Sequence, residues 1–433
     1  MRNQKLEAGL SGGFVLAVTI GGVIGLGILR GPGEIAAVTS NAPLYLALWL
    51  LGGLFVLLST AVTAELVGMT PRSGGVYALV RRAYGPYPGF VLGWVDWLSV
   101  AADIALKAVV ILEFLAMLVP EAEVWRKPLA VAVTSIFAGL QLRGVALSAF
   151  VQKCASAMIA VIVMGMSVLL LFAEPASPVT SIGAADKAGL GRWSLVIATI
   201  IFTYDGWLYA SYFSGEIKGG AGAVARASLR GVVMVIALYM LFNFALVEST
   251  GLPALAGSDL ALATALELVM SPAAGGAVII AAILILACHQ NLAYMAGPRI
   301  LHALSVDGLA VAYARTVGER GNPTFGVAVT WGVSVGLIMI GGFEFLLLLS
   351  VFFYVPLYLA LIIGMLRLRR LEPDCERPYR AWGHPYSSLF CLLGWGVITI
   401  FQGYYERETA IYALAMIAAS SPVYFYLTRK RAG

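Results

Sequence analysis

The chain has 433 residues, 60% hydrophobic and only 12% charged, with a formal net charge of +5 and a mean hydropathy of +0.90. A water-soluble chain of this length needs about a quarter of its residues charged to cover its surface, so a soluble protein is excluded and a polytopic helical membrane protein remains. The positive balance is no nucleic-acid signature, because the basic residues follow a membrane topology.

The amino-terminal MRNQKLEAGL runs into an apolar stretch that is too long for a signal peptide and has no convincing cleavage site, so a retained first helix is expected. Apolar stretches of spanning length then fall at 12–38, 42–68, 87–119, 128–146, 148–173, 193–217, 229–250, 273–304, 324–341, 343–366, 387–404 and 409–428. The mildly apolar 251–272 reads as a short outer-face helix rather than a span, and 367–386 is too short and too rich in Pro and Arg to bury a core. Twelve spans put both termini on one side of an all-α membrane protein. That side collects Arg72, Arg81, Arg82, Lys218, Arg299, the arginines of 367–380 and the basic tail from Arg429. The other keeps Arg126, Lys127, Lys187, Arg192 and Arg407, diluted by acids. The positive-inside rule makes the termini cytoplasmic. Cys154, Cys288 and Cys391 lie in apolar segments and Cys375 in a basic loop, so no disulfide framework is expected.

The first span contains GGVIGLGILRGPG, residues 21–33. A helix in lipid satisfies its own backbone, and irregular backbone at membrane depth is tolerated only where protein buries it or it lines a cavity. Gly25 and Gly27 invite such a break, leaving the N–H groups of the outer half-helix free for a carboxylate. The competing reading is close helix packing through small residues. Transporters place a second break in the corresponding segment of a repeated half, and IFTYDGWLYASYFSGEIK, residues 201–218, fits it. There Asp205-Gly206 is flanked by Phe202, Tyr204, Trp207 and Tyr209. Freed carbonyls can accept an ammonium while the aromatics wall the pocket, and Asp205 reads equally as a ligand or as a helix cap. In the third span Asp103 and Lys107 stand four apart on one face, as a neutralising pair or a proton relay. His289 in the eighth is a coupling candidate or a helix–helix hydrogen-bonder. With three His and no HExxH or nucleophile motif, catalysis is not expected, nor is a cofactor or a metal site. No recurrent polar ring marks a channel.

Other stretches complete the pattern: AELVGMTPRSGGVYALVRRAYGPYPGFVLGWVDW (64–97), GPRILHALSVDGLAVAYARTVGERGNP (297–323) and RPYRAWGHPY (377–386). With these motifs the chain resembles the amino acid–polyamine–organocation transporter superfamily along nearly its whole length, and within it the bacterial relatives of the L-type amino acid transporters. The resemblance implies a 5+5 inverted repeat with broken first and sixth helices, covering 12–173 and 193–366, plus two peripheral helices in 387–428. It implies an amino acid gripped between the two breaks, in a bacterial inner membrane. Val23, Ile24, Gly25, Leu26 and Gly27 would hold its carboxylate end. Phe202, Thr203 and Asp205 would offer carbonyls to its ammonium, within a segment that also includes Tyr204, Gly206 and Trp207, and Phe202 would be the outer gate. Leu26 replaces the usual Ser and Leu208 the frequent Asn, which makes the pocket less polar. Sodium-coupled carriers of this architecture use hydroxyls from the eighth segment, where this chain has Asn291-Leu292-Ala293-Tyr294-Met295-Ala296. Some sodium-independent members instead place a Lys seven residues after a fifth-segment Gln, and counting from Gln152 reaches Ile159. The expectation is a sodium-independent carrier of a neutral L-amino acid, working by exchange or by proton coupling, with a polyamine or cationic amino acid as the alternative. No outer-loop Cys offers a disulfide to an accessory subunit.

Overall fold

The computed structural model describes residues 10–39, 41–70, 72–174 and 189–432; Lys187, counted in the orientation, and the first nine residues, from which a retained first helix was expected, lie outside them. Among the described residues no strand is formed, and the only strand-like contact is a parallel bridge between Leu10 and Ile217. In chain order the helices are α1 (Gly12–Val23), α2 (Leu26–Ala36), α3 (Ala42–Met69), α4 (Gly75–Tyr84), α5 (Pro86–Leu118), α6 (Arg126–Leu142), α7 (Val145–Phe172) and α8 (Leu190–Thr203). After a 3-10 turn (Tyr209–Phe213) follow α9 (Gly220–Leu255), α10 (Ala261–Val269), α11 (Pro272–Val306), α12 (Thr324–Ile340), α13 (Phe343–Leu371), α14 (Tyr386–Tyr405), α15 (Arg407–Ala418) and α16 (Ser420–Ala432).

Among the described residues eight stretches are long and apolar enough to cross a bilayer: α1 with α2, α3, α7, α9, α11, α13, α14, and α15 with α16. The 33-residue α5 has the length, but Asp96, Asp103, Lys107 and Glu113 are spread along it. Large apolar side chains such as Ile136, Val161, Leu393, Ile400 and Leu414 are exposed on α6, α7, α14 and α15. That is what a surface solvated by hydrocarbon rather than water requires.

Local chemistry sets the helix ends. Ser11 accepts from the N–H of Phe14 to cap α1, and Asn41 accepts from Leu44 at 2.9 Å to start α3. The short outer helix expected within 251–272 is α10, entered after Gly251 (φ 74°) and Pro253 kink the end of α9. The sequence pattern did not anticipate α4. Its start is hidden in the turn-like RSGG, where Gly74 (φ 124°) and Gly75 (φ 59°) adopt backbone that only glycine tolerates readily. The last apolar segment is two helices rather than one, with Ser420-Ser421-Pro422 opening the second.

In the interior α5 packs against α11 and α13, α3 against α9, and α1 against α7 and α9. α5 is buried almost continuously from Val95 to Leu112. The side holding the start of α1 is called the near face below, and the opposite side the far face.

Candidate functional site

The first span is broken at Ile24–Gly25. Ile24 is extended (φ −74°, ψ 96°) and its N–H still closes onto Ile20, while Gly25 leaves helical geometry (φ −144°, ψ −146°). α2 therefore begins at Leu26 inside the protein, with no side-chain cap among the described residues. The N–H groups at the start of a helix have no intrahelical partner and sit at its positive end. The second break follows α8: residues 204–208 form turns, and Gly206 has φ +103°.

The two breaks meet main chain to main chain. A Cβ at Gly206 would stand 2.0 Å from the Gly22 carbonyl oxygen, and one at Gly27 would stand 2.3 Å from the Thr203 Cα. Both reasons advanced for the glycines thus hold at different positions: Gly25 marks the break, and Gly22, Gly27 and Gly206 permit close approach. The Tyr239 hydroxyl on α9 ties the breaks together, lying 2.9 Å from the Val23 carbonyl and 3.2 Å from that of Thr203, both of which accept from it.

Between the breaks, α5, α11 and α13 close a cavity of about 290 Å³. Of the residues singled out in the sequence, Val23, Gly25, Leu26, Gly27, Phe202, Asp205, Asp103, Lys107 and His289 line it, joined by Gly22, Tyr209 and Tyr354. Lys107 donates to Asp103 Oδ2 at 2.5 Å, and the Tyr209 hydroxyl donates to the same oxygen at 3.2 Å. Asp205 accepts from the Tyr358 hydroxyl. The other candidates point elsewhere. Ile24 is fully buried, and Thr203 packs against Gly27 and Gly31. Tyr204 donates to the Trp49 carbonyl at 2.9 Å. Trp207 stacks on Tyr358 with centroids 5.2 Å apart. With Leu208 it lines a separate chamber of about 230 Å³ facing Thr60, Thr63, Ser211 and Ser228. The positive φ at Gly206 redirects the chain there, so of the aromatic wall expected from the sequence only Phe202 and Tyr209 remain, and Tyr354 of α13, which was not expected, joins them.

Phe202 also lines a vestibule of about 490 Å³ toward the far face, with Arg30, Glu34 and Phe343, and so stands between the two spaces. The near side is closed. Arg299, 1% exposed, forms a two-pronged ion pair with Glu216 at 2.8 and 2.9 Å, and Ser73 donates to the same carboxylate. Next to it Leu10 bonds to the backbone of Glu216 and Lys218.

Sequence reasoning missed Tyr239, Arg299–Glu216 and a polar cluster joining α6, α7 and α11. Asn291 donates to Gln152 Oε1 at 3.0 Å and to the Ser148 carbonyl, and accepts from Gln141 at 3.1 Å. Gln152 also donates to Ser156, whose Oγ would lie 2.1 Å from a Cβ at Gly21. The spacing of Ser148, Gln152 and Ser156, four residues apart in an apolar helix, was the available signal. Among the described residues no group of three or more His, Cys, Asp or Glu is placed to hold a metal ion.

Comparison with known proteins agrees with this architecture. The chain is 23% identical to the serine/threonine exchanger SteT of Bacillus subtilis over 437 residues, which cover 99% of this chain and 98% of that one. It is 26% identical to a probable GABA permease of Pseudomonas aeruginosa, covering 96% and 91% of the two chains. Its identity to the human b(0,+)-type amino acid transporter 1 is 24%, covering 86% and 78%. These relatives are transporters rather than enzymes, and the sequence profile described as amino acid permease matches residues 14–424. A helical chain with apolar spans and two facing helix breaks, matched over almost its full length, belongs to the amino acid permease family of membrane transporters.

Proposed function

We propose that the protein is a secondary active carrier that moves a neutral L-amino acid across the membrane by alternating access. One observation carries the reading: the uncapped amino end of α2 and the interrupted backbone after Phe202 face each other across one small cavity. Donors on one side suit a carboxylate and carbonyls on the other suit an ammonium, the arrangement that discontinuous helices provide in transporters. A dication or a basic side chain fits less well. Asp103 is already held by Lys107 and Tyr209, and Asp205 by Tyr358, so an additional ammonium would be desolvated without a free acid.

In this reading 12–173 and 193–366 are inverted repeats of five spans each, and 387–428 adds two peripheral spans. The near face is cytoplasmic in a bacterial inner membrane, and no accessory subunit is needed. Phe202 gates the far-side vestibule, and Arg299–Glu216 closes the cytoplasmic side. The engagement of Asn291, Gln152 and Ser156 with one another supports sodium independence, because the oxygens at the α1–α7–α11 junction already have partners.

The test is uptake into proteoliposomes, with labelled neutral amino acids and with arginine and putrescine as competitors. Saturable uptake that persists when choline replaces sodium is the expected result. A several-fold loss in choline overturns sodium independence, and stronger competition by arginine or putrescine than by every neutral amino acid overturns the substrate class. Trans-stimulation by internal amino acid marks exchange, and response to a pH gradient alone marks proton symport.

A further inference from the structure

The central cavity contains a buried polar side chain whose hydrogen bonding is unfulfilled. His289 is 4% exposed, and neither ring nitrogen makes a well-formed hydrogen bond among the described residues, the Ile24 main chain being the backbone group that lies beside the ring. Of its polar neighbours on the cavity wall, Lys107 and Tyr209 both donate to Asp103 and Asp205 accepts from Tyr358, while the Tyr354 hydroxyl has no hydrogen-bond partner among the described residues. The imidazole edge lies against the first break, where a Cβ at Gly25 would stand 2.9 Å from Nε2. Tyr209 packs edge-on against the ring with centroids 6.4 Å apart, which fixes its plane.

A neutral imidazole carries one donor and one acceptor in either tautomer. Buried and unbonded, they cost free energy that a ligand able to bond them recovers and an apolar ligand does not. The division of tasks around the cavity decides which part of a ligand can reach them. The carboxylate has the N–H groups at the start of α2, and the ammonium has the backbone of the second break. The side chain is what remains for the imidazole. That side chain must be short, because the imidazole edge lies against Gly25, at the carboxylate end, and only a hydroxyl close to the ligand's α-carbon reaches it. Trp207 and Leu208, which would have made the wall apolar, line the other chamber.

We infer that His289 is the specificity-determining residue of the site, selecting amino acids with a short hydroxyl-bearing side chain over their apolar isosteres. This rests on the amino acid reading above. A site that leaves a buried polar group unpaired rejects the analogue lacking the matching group, here by roughly tenfold to a hundredfold.

The test uses the purified full-length protein and dissociation constants for two near-isosteric pairs, threonine with valine and serine with alanine. The wild type is expected to prefer the hydroxyl member of each pair by roughly tenfold or more. His289→Leu should bring both ratios close to one while alanine affinity stays within a few-fold, and His289→Asn should keep part of the preference. Wild-type ratios near one overturn the inference. So does a folded His289→Leu protein that keeps the preference, or one that loses all four ligands equally, which would put the imidazole on the carboxylate. Should His289→Leu fail to fold, the wild-type ratios and His289→Asn decide. Binding of alanine and valine without hydroxyl preference sinks this inference alone, whereas failure to bind any amino acid sinks the amino acid reading and the inference with it.

Discussion

Replacing Glu216 by glutamine strands a guanidinium inside the protein. Arg299 is 1% exposed and both prongs of its fork are on Glu216, at 2.8 and 2.9 Å. With the negative charge gone it would keep the Met295 carbonyl, at 2.5 Å, the one amide oxygen the substitution leaves, and the face of Phe213, 4.7 Å from the guanidinium carbon, with nothing to balance its charge. Breaking one partner out of a buried ion pair costs about 3–5 kcal/mol, most of it for the charge left behind. Arg299→Met alone strands the carboxylate instead, with Ser73 as its remaining side-chain donor, and should cost a similar amount. The double variant removes both charges and should recover most of the loss, since apolar or neutral replacement of a whole buried pair is often close to neutral. The assay is thermal unfolding of the purified protein for the four members of the cycle. If the single variants melt within a degree or two of wild type, or if the double variant loses the sum of the two singles, the pair does not hold the near side closed.

Three further outcomes follow from the geometry. Gly25→Ala should abolish amino acid binding with folding retained, because its Cβ meets only the His289 ring, whereas Gly27→Val should lower thermal stability because its Cβ runs into Thr203 main chain at 2.3 Å; wild-type affinity in a folded Gly25→Ala protein would refute the carboxylate assignment. Tyr239→Phe leaves the Val23 and Thr203 carbonyls without their shared donor and should cost about 1–3 kcal/mol, read as lowered thermal stability, with an unchanged melting temperature as the refuting result. His384, in the loop before α14, is held below its ordinary value of 6.5 by burial and then by Arg369. The folded state therefore binds that proton less readily than the unfolded chain. Its contribution to stability is complete above pH 6.5 and is lost as pH falls toward the depressed folded value. His384→Asn should flatten the melting-temperature profile in that window, and an unaltered slope would refute the assignment.

The parts of the site legible in the sequence were those announced by local chemistry. GGVIGLG could not continue as a lipid-facing helix, so the break was readable, and Asp103–Lys107 was readable because both lie four apart on one helix. Helix bounds followed hydropathy closely where segments were long, as for α3, α5 and α11. What could not be read depends on partners far apart in the chain. Tyr239 is an ordinary tyrosine in an apolar helix until folding sets it beside carbonyls 216 and 36 residues away. Arg299 looked like a topology marker and Glu216 was only the end of the 201–218 motif, and only the convergence of α11 with the chain after the second break turns them into a buried pair. Trp207 was assigned to the pocket from its neighbours in sequence, yet the backbone dihedral of Gly206, which no side-chain pattern encodes, aims it into the second chamber.

The abutment of Gly22 on Gly206 has a consequence for how such a protein can change over time. The carbonyl of one break fills the space a side chain at the other would need, so any residue larger than glycine at position 206 would push the two backbones apart. In the proposed site, the surfaces that would face a zwitterion's two charges are thereby made of peptide groups, which mutation of side chains cannot rewrite. The walls supplied by α11 and α13 carry no such backbone restriction, and His289 and Tyr354 could each be exchanged without touching the proposed grip. On the proposed reading, substrate range and the grip on the zwitterion would sit on separate parts of the chain, so new ligand preferences could be gained by single wall substitutions while the paired breaks stay as they are.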